Sequence, residues 1–268
     1  MLHSTPVHVH LCRISSAAGL ALVKAAKAQG LPVTCDVSVH NLHLIDVDMG
    51  YYDSRLRLEP PVRQQADRLA LRAGLADGTI DALVSDHNPV EAAATHFPFA
   101  QAAPGATACE LLLSLSIRCA NEDKVPLSRA LAVLTSGPAS VLGNSLGSLQ
   151  SSLGQLAIGG VADVCIFQPT AYWEVCNANL RSQGIRHVVT VQVQCRNYAV
   201  LGRTQQNLLK ERICNAVFNN DVFASIGILE FAPWATVNQL SAKLFLRQRI
   251  GPITETTFGE FHDVALVN

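Results

Sequence analysis

The chain has 268 residues, of which 49% are apolar, and twenty basic residues stand against twenty-one acidic ones for a formal charge of -1. That length and apolar content suffice for one large α/β domain or two small ones with a real core. The balanced charge, with no long run of either sign, argues against nucleic acid or a charged membrane as the partner.

Residues 7–12 alternate towards a short strand, on which His8 and His10 project to one face, the geometry that a His-x-His metal pair requires. Ser15 or Ser16 is placed to cap the following "AAGLALVKAAKAQG", an amphipathic helix closed by Gly30. "LPVTCDVSV" (31–39) is β-branched and apolar, a second strand. A long loop follows, "HNLHLIDVDMGYYDSRLRLEPPVR", carrying Tyr51, Tyr52, Asp53 and the Pro60-Pro61 pair; loops of that length in compact domains are usually functional. His40 and His43 open it. Three apart, they share a face only on a helix, so the loop reading disfavours a shared metal.

"RQQADRLALRAGLADG" (63–78) reads as a helix ended by Gly78, and "TIDALVSDHNP" (79–89) as a buried strand running into a polar tip. Asp86 and His87 then lie at the C-terminal end of a strand, where α/β folds place reactive groups. Asp86 can ligate a metal or act as general base. Equally, it can cap the next segment while His87 is an ordinary polar residue. Helices are expected at 106–121, 127–135 and 138–142. The character changes near 145–155, a domain boundary, after which Gly159-Gly160 leads into "VADVCIF", a strand ended by Pro169. "IRHVVTVQVQCRNYAVLG" can form strands, and residues 205–268 show neither clean periodicity nor a motif.

Strands alternating with helices predict a parallel sheet covered by helices, either doubly wound or part of a (β/α) barrel. The eight cysteines lie scattered in apolar segments without Cys-x-x-Cys pairs, as expected of reduced thiols in a cytoplasmic protein. No basic leader precedes an apolar stretch, and no apolar run approaches the roughly 18 residues of a membrane span.

In their order and spacing, "HVHLCRISSAAGLALVKAAKAQGLPVTCDVSVHNL", "YYDSRLRLEPPVRQQADRLALRAGLADGTIDALVSDHNP" and "LAIGGVADVCIFQP" resemble the dihydroorotases of the amidohydrolase superfamily over residues 7–184. The resemblance implies an α/β fold: the C-terminal half of a (β/α)8 metal-dependent barrel, incomplete, over residues 1–148. Part of a small β-sandwich would occupy 149–184, and a divergent segment 185–268. Family members open a cyclic amide at metal ions held by a His-x-His pair, a bridging carboxylate, later histidines and a final aspartate.

Of these, Asp86 alone is in register here, a vestigial base and metal ligand. The family's sixth-strand histidine falls on Arg13, whose guanidinium has no lone pair to offer a metal. His8 and His10 then belong to the strand leading into the site and are packed or hydrogen-bonded. Two substrate-contacting positions are also altered, an asparagine to Glu59 and a histidine to Val90. A carboxylate at residue 59 would repel an anionic substrate.

The resemblance therefore implies a dihydroorotase-like protein of de novo pyrimidine biosynthesis that is catalytically deficient. It would hold zinc weakly or not at all and support aspartate carbamoyltransferase, with a homo-oligomer compatible. Two alternatives stand beside it: an active cyclic amidohydrolase completed by a partner chain, and a truncated product without function.

Overall fold

A computed structural model describes residues 7–91, 93–155, 164–176, 180, 182, 192–201 and 224–225. The chain divides into two compact units, Met1–Val141 with Tyr172–Gln194 and Leu142–Ala171 with Cys195–Asn268.

In the first unit, β1 (Val9–Leu11), β2 (Val33–Ser38) and β3 (Ala82–Val84) form a parallel sheet in that order. Val9 pairs with Val33 and Asp36 with Ala82. Parallel neighbours need crossovers. The first is α1 (Ala17–Ala28); the second comprises α2 (Val39–His43), a loop and α3 (Gln65–Asp77). The Ser16 hydroxyl caps α1 by accepting the Gly19 N–H at 3.1 Å. Gly78 ends α3 with φ 87°, a left-handed conformation open to glycine.

Alternation along β2 sets the layers. Val33, Cys35 and Val37 are at most 5% exposed and join the core made by Leu20 and Val23 of α1 and Leu71 and Leu75 of α3. Thr34, Asp36 and Ser38 take the other face of the sheet. The Lys27 ammonium, at the end of α1, donates to both Asp81 oxygens at 2.8 and 2.6 Å, and Asp81 also accepts the Cys35 N–H at 2.8 Å. One carboxylate thereby ties a crossover helix to the middle strand.

Beyond β3, a 3-10 turn at Cys109–Leu111 leads into α4 (Leu112–Asp123), followed by α5 (Leu127–Ala132) and α6 (Ser136–Leu142). The helix expected from residue 106 starts later because that backbone is engaged elsewhere. The Asn88 N–H donates to the Ala106 carbonyl at 3.0 Å, and His87 bridges to Ala106. The expected loop from residue 40 instead begins inside α2.

A second sheet runs in the order β5-β4-β6, with β4 Val164–Glu174, β5 Gln192–Leu201 and β6 Ala224–Ser225. Ile166 of β4 pairs antiparallel with Ala224. Pro169 was expected to end β4 and does not, since its fixed φ suits extended backbone and it forfeits one donor only. The Gly159-Gly160 turn lies outside the described residues, as does nearly all of 205–268. Among the described residues the first sheet does not close into a barrel, and no helix is long and apolar enough to cross a membrane.

Candidate functional site

Three successive strand ends meet at one place. Arg13 lies two residues beyond β1, His40 is the second residue of the helix that follows β2, and Asp86 lies two residues beyond β3. Arg13 and Asp86 both have positive φ, 55° and 50°, a conformation uncommon outside glycine. For Arg13 the turn is fixed by Asp36, whose Oδ1 accepts the Arg13 N–H at 2.6 Å.

That turn sends the guanidinium towards the third strand. Nη1 donates to Asp86 Oδ1 at 3.3 Å and to the Glu59 carbonyl at 3.0 Å. Arg13, Leu58, Glu59, Asp86, His87, Asn88, Pro104 and Gly105 line a pocket of about 330 Å³. Gly105, at φ 140°, is required there because a Cβ would fall 2.5 Å from the Asn88 carbonyl oxygen.

His87 is held by the fold. Its Nδ1 accepts the N–H groups of Ala108 and Cys109 at 3.1 and 3.3 Å, which leaves Nε2–H to donate to the Ser182 hydroxyl at 3.3 Å. His40 is 1% exposed, and neither ring nitrogen has a hydrogen-bond partner among the described residues. Burial pushes its imidazole down to about 4, against a smaller upward pull from Asp86. His43 shares α2 with His40 but turns elsewhere, bonding the Leu115 carbonyl through Nε2 at 2.9 Å. The two histidines therefore sit on a helix after all without forming a pair.

Of the other sequence candidates, Glu59 is exposed and contributes its carbonyl to Arg13, and Val90 is buried at 7% exposure. His8 is exposed, with Nε2 at 3.4 Å from the Thr34 hydroxyl. His10 is bonded at both nitrogens, Nδ1 to Thr34 Oγ1 and Nε2 to Asp36 Oδ2, each at 2.9 Å. Cys12 and Asp36 were not candidates from the sequence, yet their ligand atoms lie within 4.8 Å of each other and of His10. The available signal was a carboxylate in the apolar run "VTCDVS".

The residues at the strand ends do not fit a divalent cation. Arg13 is a permanent cation without a lone pair, the Asp86 carboxylate already faces it, and Nδ1 of His87 is occupied by two amides. The remaining imidazole, His40, is a single buried donor whose titratable neighbours are Asp86 and His87.

A parallel sheet with crossover helices and a pocket at its strand ends is an α/β fold, and solved structures identify which one. It matches part of the D-hydantoinase (dihydropyrimidinase) from Thermus sp. with a TM-score of 0.67 and 20% identity, covering 75% of this chain and 45% of that one. The L-hydantoinase (dihydropyrimidinase) from Arthrobacter aurescens matches at a TM-score of 0.67 and 21% identity, with the same coverage. Residues 5–191 match the family model described as "Amidohydrolase family", and the chain belongs to that family.

Within the family, it is similar to the "Dihydroorotase-like protein" of Pseudomonas aeruginosa, 38% identical over 169 residues, and to the "Dihydroorotase" of Lactobacillus johnsonii, 36% identical over 187. These alignments take in 63% and 69% of this chain but 38% and 43% of those proteins. The chain thus spans about two fifths of the length of these relatives.

Proposed function

We propose that this chain is a dihydroorotase-like protein of pyrimidine biosynthesis that has lost cyclic-amide hydrolysis and supports aspartate carbamoyltransferase. The observation that carries the reading is the Arg13–Asp86 pair at 3.3 Å. A guanidinium occupies the place where the dihydroorotase resemblance puts a metal-binding histidine, and the carboxylate that would serve as ligand or base is turned to it. Metal-assisted hydrolysis needs an open ligand position and a base with a free lone pair. Arg13 supplies no ligand atom, and its guanidinium beside Asp86 Oδ1 sets a positive charge against a cation at that carboxylate.

The similarity to a protein itself described as dihydroorotase-like supports the same reading. Arg13 has a second use here, since its bond to the Glu59 carbonyl closes the pocket wall between two loops. The lost ligand position thus becomes a structural tie.

The test is turnover of dihydroorotate by the purified chain with zinc or manganese supplied, alongside co-elution with the transferase catalytic chain. No hydrolysis above background together with a stable complex is the expected result. Hydrolysis that disappears in Asp86→Ala would overturn the inactive reading, and failure to co-elute would overturn the supporting role.

A further inference from the structure

On the sheet face turned away from the helices, two adjacent strands place three ligand-bearing side chains together. His10 lies in β1 and Cys12 one residue past its end, two apart, the spacing that puts side chains on one face of an extended chain. Thr34, the register partner of His10, and Asp36, two residues on, occupy the same face of β2. One donor atom from each of His10, Cys12 and Asp36 lies within 4.8 Å of the other two.

The second atoms of two of these donors are already anchored. His10 Nδ1 is 2.9 Å from Thr34 Oγ1, and Asp36 Oδ1 accepts the Arg13 N–H at 2.6 Å. Metal sites are built in this way, with an outer partner orienting each ligand and setting the histidine tautomer. The thiol is accessible too. Cys35 is buried at 0% exposure, which pushes its thiol up to about 11, whereas Cys12 is exposed.

We propose that His10, Cys12 and Asp36 bind one divalent cation of borderline softness, Zn2+ foremost, through a donor set distinct from Arg13 and Asp86. One nitrogen, one sulfur and one carboxylate oxygen match the ligand preferences of zinc, and three protein ligands leave a fourth position to solvent. Proton accounting is simple. Nε2 of His10 gives up its hydrogen bond to Asp36 and turns a lone pair to the ion, while the tautomeric proton moves to Nδ1 and donates to the Thr34 hydroxyl. Cys12 binds as thiolate, so one proton is released per ion bound.

The experiment uses the full chain, stripped with a chelator and titrated with Zn2+ against a chromophoric competitor. In parallel, Co2+ is added and the near-ultraviolet thiolate-to-cobalt band is read. The expected result is one ion per chain, a cobalt band in the unaltered protein and loss of that band in Cys12→Ser. Thr34→Val, which removes an outer partner, is expected to weaken binding by about 10- to 100-fold. Asp86→Asn and Cys109→Ser are expected to bind as the parent does. Absence of stoichiometric binding, absence of the cobalt band, or a band that persists in Cys12→Ser would overturn the proposal. So would loss of binding in Asp86→Asn. Because the readout is binding, it is separate from the turnover assay above.

Discussion

Arg13 is half exposed, and its pair with Asp86 is worth at most about 1 kcal/mol of stability. Its consequence is chemical rather than energetic. The histidines of α2 are the opposite case. Burial pushes His40 and His43 down to about 4, while an unfolded histidine titrates near 6.5. As pH falls, the unfolded chain takes up these protons first, so the stability present above about 6.5 is lost as pH drops towards 4. Each histidine is expected to remove about 2 kcal/mol between pH 7 and about pH 5. Denaturant unfolding of the parent and of His40→Asn at both pH values checks this: the variant should lose less stability on acidification. An unchanged slope would mean that His40 is not held neutral by the fold.

The elements carry a different kind of constraint, close backbone approach. A Cβ on Gly137, in α6, would run into the carbonyl oxygens of Asp81 and Ala132. Gly30, at φ 73° after α1, has nothing within 4 Å of its missing Cβ. Gly137→Ala is therefore expected to cost about 1–3 kcal/mol by overpacking, and Gly30→Ala about 1 kcal/mol by backbone strain alone. Thermal unfolding of the two variants gives the order, and a Gly30 variant that melted lower would contradict it.

At this scale the sequence was readable where local chemistry decides. Ser15 or Ser16 as a cap, Gly78 as a stop and the β-branched apolar run "LPVTCDVSV" marked α1, α3 and β2. The short helix α2 was not readable, because its five residues are too few to show a period and it is held by packing, with Val39, His40, Asn41 and Leu42 all buried. Within the site, Asp86 was legible at the end of its strand, and Arg13 only through the dihydroorotase resemblance. The meeting of Cys12 with Asp36 was not, since it depends on which residues of β1 and β2 pair.

For the molecule as a whole, the charge balance of -1 bears on how a partner would be recognised. With no net field to steer it, the proposed association with the transferase should rest on short-range contacts and not on ionic attraction. Co-elution is accordingly expected to persist when NaCl is raised from about 0.1 M to about 0.5 M, where the Debye length falls below 10 Å. A complex that dissociates over that range would point to a charged interface.

The backbone at residue 13 has an implication of its own. Left-handed φ angles are several-fold enriched for asparagine, aspartate and histidine among non-glycine residues, and arginine is not in that group. Asp86, at φ 50°, is of the favoured kind, whereas Arg13, at φ 55°, is not. The loop after β1 thus has a shape that histidine, the residue the dihydroorotase resemblance leads one to expect there, takes up more readily than arginine. On the function proposed above, this turn would be a ligand seat kept in the dihedral angles of the main chain after exchange of the ligand.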